Sequence, residues 1–408
     1  MSHPRSNLFP SSTTSSSSRS STSNASSDLD ESPSPSRRHD FCPISRVPNP
    51  PASSPQSHKC LAILSGHVGS VSCIALCGEF VLSASQGKDI IVWQHPDLRR
   101  FTKFGHGDGS VKALLTVGNR VFTAHQDSRI RVWKVSSKSE NLFRLVDSLP
   151  TTKDYLGRFM RQSNYVQTRR HHKKLWIEHA DSISCLAVHN GYVYSGSWDK
   201  TLKVWRISDL KCLESIKAHD DAINGLVAVE GSVYSASADG KIKVWKREGK
   251  NRHSLNGVLE GHKEVSFNAV VVSGNVVYGA CSDGYLMGWT LGNKRVCEVK
   301  GHEMSVLSLC VMGDFLCTGS ADKSIGIWKM GIDGGLFKVG VIKGHEGGVR
   351  CLQASPVCVG GGFMLYSGSL DRSLRVWWVP NYCSSTTDKP YLKSTNDMNL
   401  KLLPLNDC

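Results

Sequence analysis

Aspartate, histidine and a small hydroxyl recur together along this chain, the three side chains from which an acyl-transfer nucleophile is built. Five sets are spaced alike: His106, Thr123 and Asp127; His179, Ser195 and Asp199; His219, Ser235 and Asp239; His302, Thr318 and Asp322; His345, Ser367 and Asp371. A nucleophilic site needs one exposed hydroxyl beside a base and an oxyanion pocket. A set that returns again and again suits a rule of construction better than one reacting centre, so no catalytic residue is assigned and the protein is read as a non-enzyme. The histidines also recur singly, at wide intervals, so neither a metal site nor a cofactor is expected.

A tryptophan closes each set. The clearest copies are Ser195-Gly-Ser-Trp-Asp-Lys-Thr-Leu-Lys-Val-Trp205 and Ser235-Ala-Ser-Ala-Asp-Gly-Lys-Ile-Lys-Val-Trp245, and looser ones end at Trp93, Trp133, Trp289, Trp328 and Trp377. Successive tryptophans lie 40, 72, 40, 44, 39 and 49 residues apart, each preceded by a histidine that mostly follows glycine; His67 and His262 complete the seven. A period near 40 with a Gly-His start and a Trp end resembles the WD40 repeat, four strands to a propeller blade. The fold expected is all-β: a seven-bladed propeller over residues 59–380, closed so that few sheet edges stay unpaired. A strand precedes every histidine, so the first, Cys60–Leu64, must complete the last blade.

The resemblance implies an internal network in which Asp accepts from His, His donates onward to the strand hydroxyl, and the Trp indole supplies the last donor. On that pattern the five sets are completed by Trp133, Trp205, Trp245, Trp328 and Trp377. Blade 1 has Gly87 in place of the Asp and blade 5 has Gly279 in place of the hydroxyl, so both should be less rigid there.

Composition bounds the rest. No apolar run reaches the 18 residues a membrane helix needs, and the start lacks the apolar core of a secretory signal. Residues 1–58 hold twenty serines and nine of the fifteen prolines, a tail expected to be disordered. That reading is preferred to a chloroplast transit peptide, which the serine-rich, acid-poor start also fits. Ser32-Pro33, Ser34-Pro35 and Ser54-Pro55 are candidate phosphorylation sites. The fourteen cysteines are scattered without paired spacing, as buried reduced thiols in an intracellular protein would be. Of the net charge of +14, the head holds +1, residues 151–176 hold +6 and the C-terminal tail 381–408 holds none. The propeller keeps the remaining +7, a solvated surface bias and not by itself a nucleic-acid footprint.

One interval breaks the period by 32 residues, placing an insertion within 135–174 of blade 2. It is expected to join the third and fourth strands of blade 2 and so to emerge opposite the Gly-His and Asp turns. Tyr155, Leu156, Phe159 and Met160 have the spacing of a short amphipathic helical face, and Leu175-Trp-Ile177 would return to the sheet. The run Arg169, Arg170, His171, His172, Lys173, Lys174 admits an import signal, a nucleic-acid patch or a solvated loop. Leu149-Pro-Thr-Thr-Lys-Asp154, Asn164-Tyr-Val166 and Arg169–His179 resemble the plant JINGUBANG-like group of WD40 proteins. That resemblance implies restraint of a developmental programme such as pollen germination, a transcription-factor partner, and presence in cytoplasm and nucleus.

The WD40 resemblance also puts partner binding on the rim, at the residue before each turn Asp: Gln86, Gln126, Trp198, Ala238, Ser282, Ala321 and Leu370. Acids follow the histidines (Asp108, Asp181, Asp220, Asp221, Glu264, Glu303 and Glu346), so this rim is expected to favour basic peptides. The function expected is a monomeric protein–protein adaptor without membrane attachment. Its rivals are a nucleic-acid-associated propeller and a ubiquitin-ligase substrate receptor. The latter is weakened because none of the residues after the seven tryptophans is Asp, so the Trp-Asp-x-Arg element is missing.

Overall fold

The computed structural model describes residues 57–107, 109–136, 142–169, 172–249 and 252–381. The head read as disordered and the C-terminal tail fall outside these, apart from Ser57, His58 and Asn381. The described chain forms seven four-stranded antiparallel sheets. Blade 1 runs Val71–Cys77, Phe80–Ser85, Ile90–Gln94 and Arg99–Phe104, and blade 3 runs Ile183–His189, Tyr192–Ser197, Thr201–Arg206 and Cys212–Lys217. Blades 4, 5 and 6 begin with Ile223–Val229, Phe267–Ser273 and Val306–Met312. First strands of neighbouring blades touch all the way round, from blade 1 through blade 7 and back, so they line the axis.

Central strands such as Phe80-Val-Leu-Ser-Ala-Ser85 are buried on both faces and read as continuous small and apolar runs, whereas the outer Arg99–Phe104 is largely exposed. The core therefore lies between sheets. Seven apolar clusters form, each shared by two adjacent blades, with the pair 7 and 1 included.

Ring closure is a clasp. Lys59–Leu64 pairs antiparallel with Leu374–Pro380 (Cys60 opposite Trp377, Leu64 opposite Leu374) and forms the outermost strand of blade 7, beside Gly362–Ser369 and Val349–Val359.

The insertion lies elsewhere than expected. Phe143–Leu149 already supplies the fourth strand of blade 2, with Val135 opposite Phe143 and Ile130 opposite Leu149. Residues 150–174 thus follow the fourth strand and precede His179, on the same face as the histidines and Asp turns, where Arg129 of the blade 2 turn lies 5.9 Å from the Tyr155 ring centre. Leu175-Trp-Ile177 sits beside a histidine as fourth strands do, but that place in the ladder is taken. Leu175 ends a hairpin with Tyr165–Arg169, and Ile177 is buried without joining the sheet.

The amphipathic helix is a single turn, Thr152–Leu156, capped by Thr151 and ended at Gly157. Only Tyr155 packs inward; Leu156, Phe159 and Met160 are exposed, because the chain turns away after Gly157 and the four residues never share a face.

Deleting residues 59–64 is expected to lower Tm by more than about 5 °C, since it opens blade 7 and strips the cluster between blades 7 and 1. Deleting residues 1–57 should leave Tm nearly unchanged. Thermal denaturation followed by circular dichroism checks both.

Candidate functional site

In four blades Asp, His and hydroxyl meet as a sealed brace. In blade 3, His179 Nδ1 lies 3.0 Å from Asp199 Oδ2 and His179 Nε2 2.8 Å from Ser195 Oγ, and Trp205 Nε1 donates to the same hydroxyl at 2.9 Å. The corresponding distances are 2.8, 2.7 and 2.9 Å in blade 4 (His219, Asp239, Ser235, Trp245). They are 2.9, 2.7 and 3.0 Å in blade 6 (His302, Asp322, Thr318, Trp328). In blade 7 (His345, Asp371, Ser367, Trp377) all three are 2.7 Å.

Each Asp also accepts a backbone N–H from its own turn and one from the residue after the histidine, as Asp239 does from Lys241 and Asp220. The hydroxyls of Ser195, Ser235, Thr318 and Ser367 have no exposure, so none can meet a substrate. Burial lowers the pKa of His179, His302 and His345 against the pull of their aspartates. Such a neutral ring carries one N–H, which goes to the carboxylate; the hydroxyl must then donate to Nε2, the reverse of the direction expected.

Blade 2 departs from its expected set. His106 is exposed, and Thr123 Oγ1 meets His125 Nε2 at 2.7 Å while still accepting from Trp133 Nε1 at 3.1 Å. Asp127 is paired with the buried guanidinium of Arg131, which lies over Gly107 and fills the place beside Asp127 that His106 would need. The signal was His125, which stands where blades 3, 4, 6 and 7 have the serines that cap the Asp turn: Ser197, Ser237, Ser320 and Ser369.

In blade 1, with Gly87, the brace shortens to His67, Ser83 and Trp93. In blade 5 a Cβ on Gly279 would come 2.8 Å from Phe267 Cε1, so the phenyl ring occupies the hydroxyl's site. His262 turns outward to Asp283 at 2.7 Å and Glu298 at 2.9 Å.

The candidate binding site is the mouth of the axial channel. Each innermost strand skips one residue of its ladder near its start, and the seven skipped residues are Ser72, Lys112, Ser184, Asn224, Asn268, Leu307 and Arg350. Such bulges re-aim a side chain, and here all seven converge on a cavity of about 460 Å³.

Four of them stitch neighbouring blades by donating to the next innermost strand. Ser72 reaches Val111 O at 2.7 Å, Asn224 reaches Phe267 O at 2.9 Å and Asn268 reaches Val306 O at 2.8 Å; Ser184 does the same to Ile223 O. Lys112 and Arg350 make no such stitch, and among the described residues neither pairs with a carboxylate. Burial, followed by the charge of Arg350, lowers the Lys112 pKa, while its ammonium sits 5.6 Å from the Trp198 ring centre.

Of the rim residues read from sequence, Trp198 (41% exposed), Leu370 (47%) and Ala321 line this mouth, while Gln86, Gln126, Ala238 and Ser282 do not. Asp181, Asp220 and Asp221 are exposed, as are Glu264, Glu303 and Glu346. Lys88, Lys200, Lys263, Lys323 and Arg372 are exposed on the same turns, so the rim carries both signs around a basic centre. The bulge ring was not foreseen, since a skipped residue leaves no periodic mark.

Of the basic run, Arg170 and His171 lie outside the described residues. Arg169 and His172 belong to the hairpin strands Tyr165–Arg169 and His172–Leu175; Lys173 is exposed and Lys174 Nζ donates to His179 O at 3.2 Å. Asp108 is likewise outside. Among the described residues no group of three His, Cys, Asp or Glu side chains is placed to hold a metal ion.

A family model described as WD domain, G-beta repeat, matches residues 58–94, 170–206, 210–246, 293–329 and 337–377. Each of these five segments is a WD40 repeat. The two repeats that the model passes over, ending at Trp133 and Trp289, are the blades with the rearranged and the phenyl-filled brace.

Relatives are distant and partial. WD repeat-containing protein 18 of Bos taurus is 25% identical over 201 residues, 38% of this chain and 45% of that protein. The ribosome biogenesis protein WDR12 homolog of Drosophila erecta is 30% identical over 117 residues, 27% of each. A zinc finger CCCH domain-containing protein 59 of Arabidopsis thaliana is 25% identical over 111 residues, 27% of this chain and 18% of that one. The chain therefore spans less than half the length of each of these. Among solved structures, the computationally designed Ika8 protein aligns with a TM-score of 0.57 at 23% identity, covering 78% of this chain and 99% of that one. That likeness speaks to the fold alone.

Asp239→Ala is expected to cost about 1–3 kcal/mol by stranding His219 in a buried site, whereas His106→Ala should stay within about 0.5 kcal/mol. Urea denaturation measures both. Acid should weaken the fold. Burial, with Arg100 nearby, holds His67 down at about 4, and burial with Arg131 does the same to His125. The unfolded chain takes up these protons near pH 6.5 and the folded one only near pH 4, so stability falls as pH drops across that interval. Burial alone would raise the Asp239 pKa, but the hydrogen bond and charge of His219 and the turn N–H groups bring it to about 2, which adds a loss at still lower pH. Tm measured from pH 7 to pH 4 should decline, less steeply in His125→Gln.

Proposed function

We propose that the protein is a non-enzymatic scaffold that seats partner proteins on the channel mouth and acts as a regulator. WD40 propellers typically bind other proteins. The observation that carries the reading is the uncommitted pair Lys112 and Arg350 beside the exposed Trp198 and Leu370. An exposed indole with an ammonium 5.6 Å from its ring centre is a good anchor, and the rim acids set orientation and encounter rate. The partner that fits is a segment with an acidic or amide tip for the centre and basic flanks for the rim, more specific than the wholly basic peptide read from the rim alone.

The insertion's resemblance to the JINGUBANG-like group supports a narrower form of this proposal: restraint of a developmental programme such as pollen germination, through a transcription-factor partner, in cytoplasm and nucleus. A second reading, a nucleic-acid-associated propeller, rests on the net charge of +14 and on a relative named for ribosome biogenesis.

Affinity capture with wild type, Trp198→Ala and a Lys112→Glu/Arg350→Glu double variant should show partners lost from both variants while Tm is kept. Capture unchanged in both would count against the mouth. Heparin retention that falls steeply with salt, with RNA crosslinked to the chain, would favour the second reading.

A further inference from the structure

The insertion directs its polar groups inward and its large apolar groups outward. Thr151 caps the single helical turn, and the buried Asp154 accepts from Thr151 Oγ1 at 3.2 Å and Arg158 Nη1 at 3.0 Å. Tyr155 Oη donates to Glu178 at 2.6 Å and Asn164 Nδ2 to Arg158 O at 2.9 Å. The Arg158 guanidinium lies 4.9 Å from the Trp176 ring centre, and Lys203 Nζ donates to Trp176 O at 2.5 Å. Leu175 and Ile177 sink into the cluster between blades 2 and 3. These ties fasten the segment to the ring.

Even so, Leu156 is 70% and Met160 80% exposed, with Phe159 and Val146 about half exposed. Leu156 lines a groove with Leu145, Val146, Pro150 and Tyr155, whose polar side is formed by Arg129, Asp147, Ser148 and Thr152. Leu156 and Val146 share that groove and Phe159-Met160 follow within one turn of chain, so several large apolar groups stand exposed on a held backbone, as at a contact surface.

Charge identifies what covers it. The insertion's sole acid, Asp154, is buried and paired, whereas Lys153, Arg161 and Lys173 are exposed. A second copy of this chain would bring like charge against like. RNA recognition needs stacking platforms, and the exposed groups here are mostly aliphatic. We propose that this surface seats an amphipathic helical segment of a partner protein, its apolar stripe on Leu156, Phe159 and Met160 and its acidic flanks against Lys153, Arg161 and Lys173. This extends the scaffold reading to a second surface, made of residues other than those at the channel mouth.

The test uses the full chain and fluorescence anisotropy with a labelled amphipathic helical peptide bearing Leu and Phe on one face and Glu beside it. A matched peptide with Lys for Glu, an RNA oligonucleotide and phosphatidylserine vesicles are the other probes. The acidic peptide should bind and the Lys peptide should not. Leu156→Ser/Met160→Ser should weaken binding about tenfold or more. Arg161→Glu/Lys173→Glu should weaken it and flatten its salt dependence. Trp198→Ala should leave it unchanged, so failure here and failure of the mouth reading are told apart. Because all four substituted positions are exposed, Tm should hold. The proposal is overturned if neither peptide binds, if both bind alike, if the patch variants bind as wild type, if Trp198→Ala abolishes binding, if RNA or the vesicles bind through the patch instead, or if the chain self-associates through it.

Discussion

The ring is held by apolar contact between neighbouring sheets, and each of the seven clusters needs both of its sheets to exist. A four-stranded sheet with two buried faces is unstable alone, because each face would meet water. Every blade therefore depends on two neighbours, and the last can satisfy this only by meeting the first. The tryptophans show how the polar and apolar parts join. Trp205 packs in the cluster between blades 2 and 3, while its indole nitrogen serves the hydroxyl of blade 3. Trp245, Trp328 and Trp377 do the same between blades 3 and 4, 5 and 6, and 6 and 7. One residue thus fixes the turn of its own sheet and fills the gap to the sheet before it.

The braces tolerate repair in ways that follow hydrogen-bond accounting. A buried Trp N–H must find an acceptor, so Thr123 keeps that role in blade 2 even though a different histidine serves it. Arg131 can enter because Asp127 is there to neutralise it, and the displaced His106 goes to solvent. In blade 5 the loss of the hydroxyl is matched by Phe267, whose ring lies edge-on to Trp289 with centres 5.8 Å apart. Apolar filling thus replaces the polar brace, and the freed His262 joins two surface carboxylates.

Much of the fold was legible because its signals repeat: seven tryptophans, 39–49 residues apart except across the insertion, leave little room for another architecture, and Cys60–Leu64, left over at the start, required a partner at the end. What could not be read is what one copy does differently. His106 sits after glycine like its counterparts, and only the unusual His125 hinted that another ring had entered. Leu175-Trp-Ile177 resembles a fourth strand by position, but Phe143–Leu149 reaches the open edge of blade 2 first. The channel ring lay hidden because Lys112 and Arg350 occupy ladder irregularities, which sequence alternation reads as ordinary strand. The face of the insertion followed from the same strand assignment and changed with it.

The clasp has a consequence for biosynthesis. The strand Lys59–Leu64 leaves the ribosome about 310 residues before its partner Leu374–Pro380. At roughly 5–20 residues per second, that leaves it single for about 15–60 s of translation. Throughout that time the nascent chain carries an unmated strand with Leu61 and Ile63, side chains that stay half exposed even in the finished ring. Vectorial folding can stack the early sheets, but the circle is shut only by the last blade, so a product stalled or truncated before it would be left as an open arc with apolar faces bare at both ends.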